Sequence, residues 1–306
     1  MKNKLLIIFI SLIILVVGGL GYYIFFVYDK EENVLTDREL TTTEISNILD
    51  GFPYQNLLNL TDRTVSDLTE EEILYIGYYG LTDDEIVTAS IDNCDYADKS
   101  EKAKCIVTSL GLKESKIDAM DTSLWESILT ENNTYGMFSK DSIDEVILNR
   151  LGLTNQYNNS FVDFLDLDTI ALGLLYDNNI DMFFQKIEEN NVDNTDECLS
   201  CSTGCSNEII TYLSTPESGY IKDNEVIITV VKGMFVLCET DEDTYYNLYA
   251  ESNPETLVFG NIDSDIYSTE DINDYLLSYS DQLDSYKITF KKVDDTYQFV
   301  SIEYLD

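Results

Sequence analysis

The chain has 306 residues, 44% of them apolar by a loose count, with 58 acids against 18 bases and a formal net charge of −40. That balance argues against nucleic acid as a ligand, because phosphate binding needs clustered Lys and Arg, and it disfavours docking on anionic lipid. The chain contains no histidine, which removes Ser-His-Asp and Cys-His catalysis, HExxH metalloproteases and the commonest zinc ligand.

After Met1-Lys2-Asn3-Lys4, the run Leu5–Val27 carries no charge. About 20 such residues cross a bilayer core of roughly 30 Å. Tyr22, Tyr23 and Tyr28 stand near its outer end, where amphipathic rings suit the headgroup layer. Lys2 and Lys4 flank one side and "DKEE", 29–32, the other. This pattern predicts a single-pass signal-anchor in the cell membrane over residues 1–28, with the N-terminus cytoplasmic and residues 29–306 extracytoplasmic. A cleavable signal peptide is the alternative, with Leu5–Val17 as its apolar region and Gly19-Leu20-Gly21 as the cleavage site. Both place the bulk of the chain outside the cytoplasm. Residues 29–42 are polar and aperiodic, and read as a tether.

Residues 43–195 read as a mainly helical region. Thr69 with Glu72 fits a capping box ahead of "ILYIGYYGL". In "SKDSIDEVILNRLG", 139–152, Asp141 is placed to cap. Ile143, Val146, Ile147 and Leu151 recur at helical spacing, and Gly152 stands where a left-handed terminator belongs. Residues 100–110, 122–130, 160–175 and 178–190 give weaker helical patterns. Trp125, the lone tryptophan, is expected to pack in the core.

Residues 196–306 change character. "EVIITVVKGMFVLCE", 225–239, is β-branched and apolar, predicting one bent strand or a pair broken at Gly233. Short strands follow in "YYNLYA" and "ETLVFGN". Ser268 then opens a helix with Ile272, Tyr275, Leu276 and Tyr279 on one face. The chain closes with "SYKITFKK", the turn "VDDT" and "YQFVSIEY", a hairpin whose Tyr286, Ile288 and Phe290 alternate with Lys287, Thr289 and Lys291. The fold class expected is therefore α+β: a transmembrane helix, a helical N-terminal half, and a C-terminal antiparallel sheet with a packed helix.

The apolar N-terminus, the acidic Tyr- and Asn-rich exterior and the closing "YKITFKKVDDTYQFVSIE" resemble uncharacterised, N-terminally anchored extracytoplasmic proteins of low-GC Gram-positive-type bacteria. The helix-plus-sheet C-terminus is similar to NTF2-like or cystatin-like small folds. The resemblance covers roughly residues 208–306 and the anchor. It implies no activity, so no catalytic residue is carried over.

The densest chemistry is "DECLSCSTGC", 196–205. Cys198, Cys201 and Cys205, with Cys238 downstream, supply four thiols for zinc, but a second C-x2-C is missing. A redox C-x-x-C wants a cation beside its thiol, and Asp196 and Glu197 stand there instead. All six cysteines, Cys94, Cys105, Cys198, Cys201, Cys205 and Cys238, lie in the expected exterior, where disulfides form. Cys94 and Cys105 make a natural local pair, and the other four allow three connectivities. "NIDSDIYSTEDI", 261–272, begins like an EF-hand loop but has Ile266 and Ile272 where that loop needs Gly and Glu. "DFLDLD", 163–168, and "ETDEDT", 239–244, meet no cage spacing. Arg38, Arg63 and Arg150 are the only arginines able to clamp an anion. These features predict no catalytic, cofactor or metal residue. The expected function is a non-catalytic, membrane-anchored interaction or envelope-associated protein, with the membrane engaged through 5–27 and a protein or cell-envelope partner. A carboxylate-based envelope hydrolase and a divalent-cation binder stand as alternatives, and oligomeric state is open.

Overall fold

The computed structural model describes residues 37–90, 94, 96–129, 134–154, 160–163, 172–187, 207–239, 244–263 and 269–305. The elements fall into two antiparallel sheets with helices between and outside them.

β1 (Arg38–Glu39) leads into α1 (Thr42–Leu49). Thr41 starts the helix because its side chain accepts from the Glu44 N–H while the Glu44 carboxylate accepts from the Thr41 N–H at 2.9 Å. That reciprocal box satisfies two donors the first turn would leave open. β2 (Arg63–Thr64) precedes α2 (Glu70–Tyr79), whose Thr69–Glu72 box is the one its sequence predicts. The helix Lys140–Leu151 lies against α2 where Gly77 permits close approach: a Cβ there would stand 3.0 Å from Ile147.

The N-terminal half is not mainly helical. β3 (Val87–Ser90) is followed by α3 (Lys99–Ser109), α4 (Glu114–Ile117) and a 3-10 stretch at Thr122–Ser127. Next come β4 (Thr134–Ser139), α5 (Lys140–Leu151), β5 (Ser160–Asp163), β6 (Leu172–Asp177) and β7 (Met182–Ile187). The strands form a five-stranded sheet in the order β3-β4-β7-β6-β5. The helices expected over 160–175 and 178–190 are thus replaced by β5, β6 and β7 where described, and 122–130 supplies only the 3-10 stretch. The reason is burial on both faces. Leu174, Tyr176, Phe138 and Phe183 face one core, while Leu175, Tyr135, Met137 and Phe184 face another. A strand buried on both sides reads as a continuous apolar run, which periodicity cannot separate from a buried helix. The buried Asp177 tightens the β6–β7 turn by accepting from the N–H groups of Asn179 and Asp121 at 2.9 and 2.7 Å. α5 is capped by Ser139 rather than Asp141, and it ends at Gly152 in the left-handed conformation, as predicted.

β8 (Asn207–Lys222) and β9 (Glu225–Glu239) pair along their whole length. On its other side β9 changes partner at Gly233. Residues Glu225 to Lys232 pair with β12 (Asp284–Val293), and Met234 to Glu239 pair with β10 (Thr244–Ala250). So 225–239 is one strand, and Gly233 marks a branch rather than a break. A Cβ at Gly233 would stand 2.7 Å from both Leu248 and Leu276, so no larger residue fits without displacing two fully buried leucines. β11 (Asn253–Asp263) pairs with β10, and α6 (Thr269–Ser278) covers the odd-numbered face of the branch. β13 (Thr296–Leu305) forms the predicted hairpin with β12 and joins β2. The even-numbered face of β9 presents Val226, Ile228 and Val230 to the main core with Tyr286, Ile288, Phe290, Phe299 and the helices.

Among the described residues no helix is long and apolar enough to cross a membrane, so the expected transmembrane helix has no counterpart there. Residues 1–36, with the whole expected anchor, lie outside the described residues, as do Cys198, Cys201, Cys205 and Ser268.

Cys94 and Cys105 are disulfide-bonded, with Cα atoms 5.7 Å apart. They staple α3 to the core around Trp125. Closing this loop is worth about 2–3 kcal/mol by the chain-entropy argument. Replacing both with serine is expected to lower the unfolding free energy by that amount, read from denaturant midpoints at constant m-value. Cys238 is also disulfide-bonded, and its partner lies outside the described residues.

Candidate functional site

The branch in β9 gathers buried polar residues from three strands. Lys232 is the last residue of β9 to face β12, and its register partners are Ser214 on β8 and Asp284 on β12. Cross-strand partners share a face with Cβ atoms about 5 Å apart, so Ser214, Lys232 and Asp284 form a row. All three are buried. The next row brings Tyr286 and its β13 partner Tyr304. The β10–β11 turn swings Glu251 and Ser252 over the same face.

The ammonium of Lys232 donates to the Leu58 carbonyl at 3.1 Å and lies 2.6 Å from Glu251 Oε2. It also sits 4.9 Å from the Tyr212 ring centroid, a cation–π distance. Asp284 accepts from the Ser252 N–H at 3.1 Å and from the Tyr304 hydroxyl at 3.0 Å. Tyr286 is fully buried, and burial, then the charges of Glu251 and Asp284, push its phenol far above the ordinary value. Burial raises Tyr54 in the same way.

Chemically, Ser214 beside Lys232 is an approximation to a serine–lysine dyad, and Glu251 with Asp284 an approximation to a two-carboxylate hydrolase. Neither is set up to react. A lysine base needs a free lone pair, whereas this ammonium is engaged by a carbonyl, a carboxylate and a ring. Asp284 is held by two donors. The resolved carboxyl shifts elsewhere, at Glu44, Asp67, Glu72 and Glu85, all run downward, away from the raised acid that glycoside chemistry uses. For Glu72, burial acts to raise the value and is outweighed by the Arg63 guanidinium and the Thr69 N–H.

The three arginines are engaged by groups of the chain itself. Arg38 grips both oxygens of Glu44 at 2.5 and 3.0 Å, Arg63 meets Glu72 at 2.5 Å, and Arg150 donates to the Asp50 carbonyl at 2.5 Å. Arg38 and the Thr41 donors hold the Glu44 carboxyl down at about 2. Because that value lies below the unfolded one near 4.5, its contribution is complete above pH 4.5 and is lost as pH falls towards 2. An NMR titration is expected to place the Glu44 midpoint near 2, and Arg38→Ala is expected to move it up.

Of the predicted disulfide residues, Cys94 and Cys105 are brought together, Cys238 is bonded, and the 198–205 group lies outside the described residues. So do most of 163–168 and 239–244 and the middle of 261–272. Among the described residues no three His, Cys, Asp or Glu side chains stand together as a metal site. The Lys232 cluster escaped sequence reasoning because its members are spread over residues 54 to 304. Its one local signal is a lysine inside the apolar run "IITVVKGMFV". No family model, curated protein or solved structure matches this chain.

Proposed function

We propose that this is a non-catalytic extracytoplasmic protein, acting as an interaction or envelope-associated module. The observation that carries this reading is the closure of the Lys232–Glu251–Asp284 cluster, whose charged groups hold one another and the backbone rather than an approachable reaction centre. The disulfide-bonded state of Cys94, Cys105 and Cys238 supports an oxidising compartment. The net charge of −40 supports contact with basic partner surfaces, since a single-sign exterior steers oppositely charged molecules and repels its own kind. The full chain is incubated with a panel of wall polymers, glycans and peptides, and products are followed by mass spectrometry. No turnover is expected, with retention of basic polypeptides that weakens as salt is raised. Turnover of any substrate in the panel, abolished by Glu251→Gln or Asp284→Asn in folded protein, would reverse the assignment in favour of a carboxylate hydrolase.

A further inference from the structure

We propose that the outer edge of β3 takes up an extended basic segment of a partner polypeptide as an added strand of the small sheet. The inference rests on the proposed affinity for basic partners and names where on the fold it is exercised. β3 stands at one end of the five-stranded sheet and pairs with β4, Val87 opposite Met137, Thr88 opposite Gly136 and Ala89 opposite Tyr135. An edge strand presents unpaired N–H and C=O groups, which proteins ordinarily protect. Here β8 is met by β1, β13 is met by β2, and β11 is interrupted by register shifts and holds Pro254. β3 has no such protection. Residues 86–90, "IVTAS", carry no charge and no proline, the pairing runs without a shift, and no described strand lies beyond it.

The edge is open to solvent. Val87 and Thr88 point to opposite faces by strand alternation, yet both are exposed, Val87 at 46%. Val87 shares its face with Met137, which is buried in the core around Trp125, and Ala89 packs partly against that core. An added strand would set alternate side chains beside Val87 and Ala89 and extend this core outwards. The fit is for an extended segment with β-branched or apolar residues on one face.

Charge decides the rest of the occupant. Asp83 and Asp84 are exposed in the 3-10 turn that enters β3. Glu85 follows, its carboxyl held below the usual range by the Thr82 N–H, so it stays ionised. A run of acids at one end of an uncharged edge favours lysine or arginine at the matching end of the docking strand. A second copy of this chain is a poor occupant, because it brings the same acids and the same net charge of −40.

The full chain is titrated with a labelled peptide of alternating valine and threonine with lysines at both ends. A charge-matched copy with proline at its centre, which cannot complete the ladder, is the control. The first peptide is expected to bind about tenfold tighter than the second, and to slow amide exchange in 87–90 while leaving the β11 edge unchanged. The double substitution Asp83→Asn, Asp84→Asn, in a chain that keeps its melting temperature, is expected to weaken that binding and to flatten its salt dependence. Equal binding of the two peptides overturns the strand addition while the affinity for basic partners stands. Slowed exchange at another edge instead of β3 does the same. Binding by neither peptide overturns both readings.

Discussion

Lys232→Ala lowers the unfolding free energy by about 3–5 kcal/mol, among the largest losses expected from a single substitution in this chain. The ammonium lies 2.6 Å from Glu251 and its side chain is only 9% exposed. Removing it leaves Glu251, Asp284 and the Leu58 carbonyl facing an apolar methyl, with the buried Tyr286 and half-buried Tyr304 rings on one side. An uncompensated buried charge costs far more than the intact pair contributes. Chemical denaturation at pH 7 gives the number. A loss under 1 kcal/mol would mean that water takes the place of the ammonium beside the part-exposed Glu251 and that the cluster is an open site.

Trp125→Ala is expected to cost about 3–5 kcal/mol for a different reason. Trp125 is fully buried, with its ring 4.7 Å from Phe184 and 6.5 Å from Tyr135, in the core that the Cys94–Cys105 disulfide borders. Truncation opens a cavity between the small sheet and α3 that neither neighbour fills. Among the described residues its indole N–H has no hydrogen-bond partner, so Trp125→Phe loses volume but no bond and is expected to cost less than half as much. Circular dichroism is the measurement, because the fluorescent reporter is the residue removed. Equal losses for Ala and Phe would show that the N–H is bonded in solution.

What was legible in the sequence follows the range of the interactions. The Thr69–Glu72 box, the terminal Gly152 and the β12–β13 hairpin are set by residues within a few positions of each other, and each is present. The Cys94–Cys105 pair lies 11 residues apart in sequence and is equally readable. The sequence of β6 and β7 reads as helix because both of their faces are buried, which erases the period-2 pattern. The sequence of β9 reads as bent or broken at Gly233 because a glycine in a strand ordinarily marks such a point. Here Gly233 instead makes room for Leu248 and Leu276 while the partner strand changes. The Lys232 cluster was invisible since Leu58, Ser214, Glu251, Asp284 and Tyr304 meet only through sheet register, and register is a property of the whole sheet.

The most direct test of the central claim, that the charged groups at the branch hold the fold rather than perform a reaction, is a double-mutant cycle on Lys232→Met and Glu251→Gln. Mutual dependence predicts a coupling free energy of about 2–3 kcal/mol, with the double variant more stable than the sum of the single losses requires. Losses that add within about 0.5 kcal/mol would show that the two groups do not support each other, and would contradict the account.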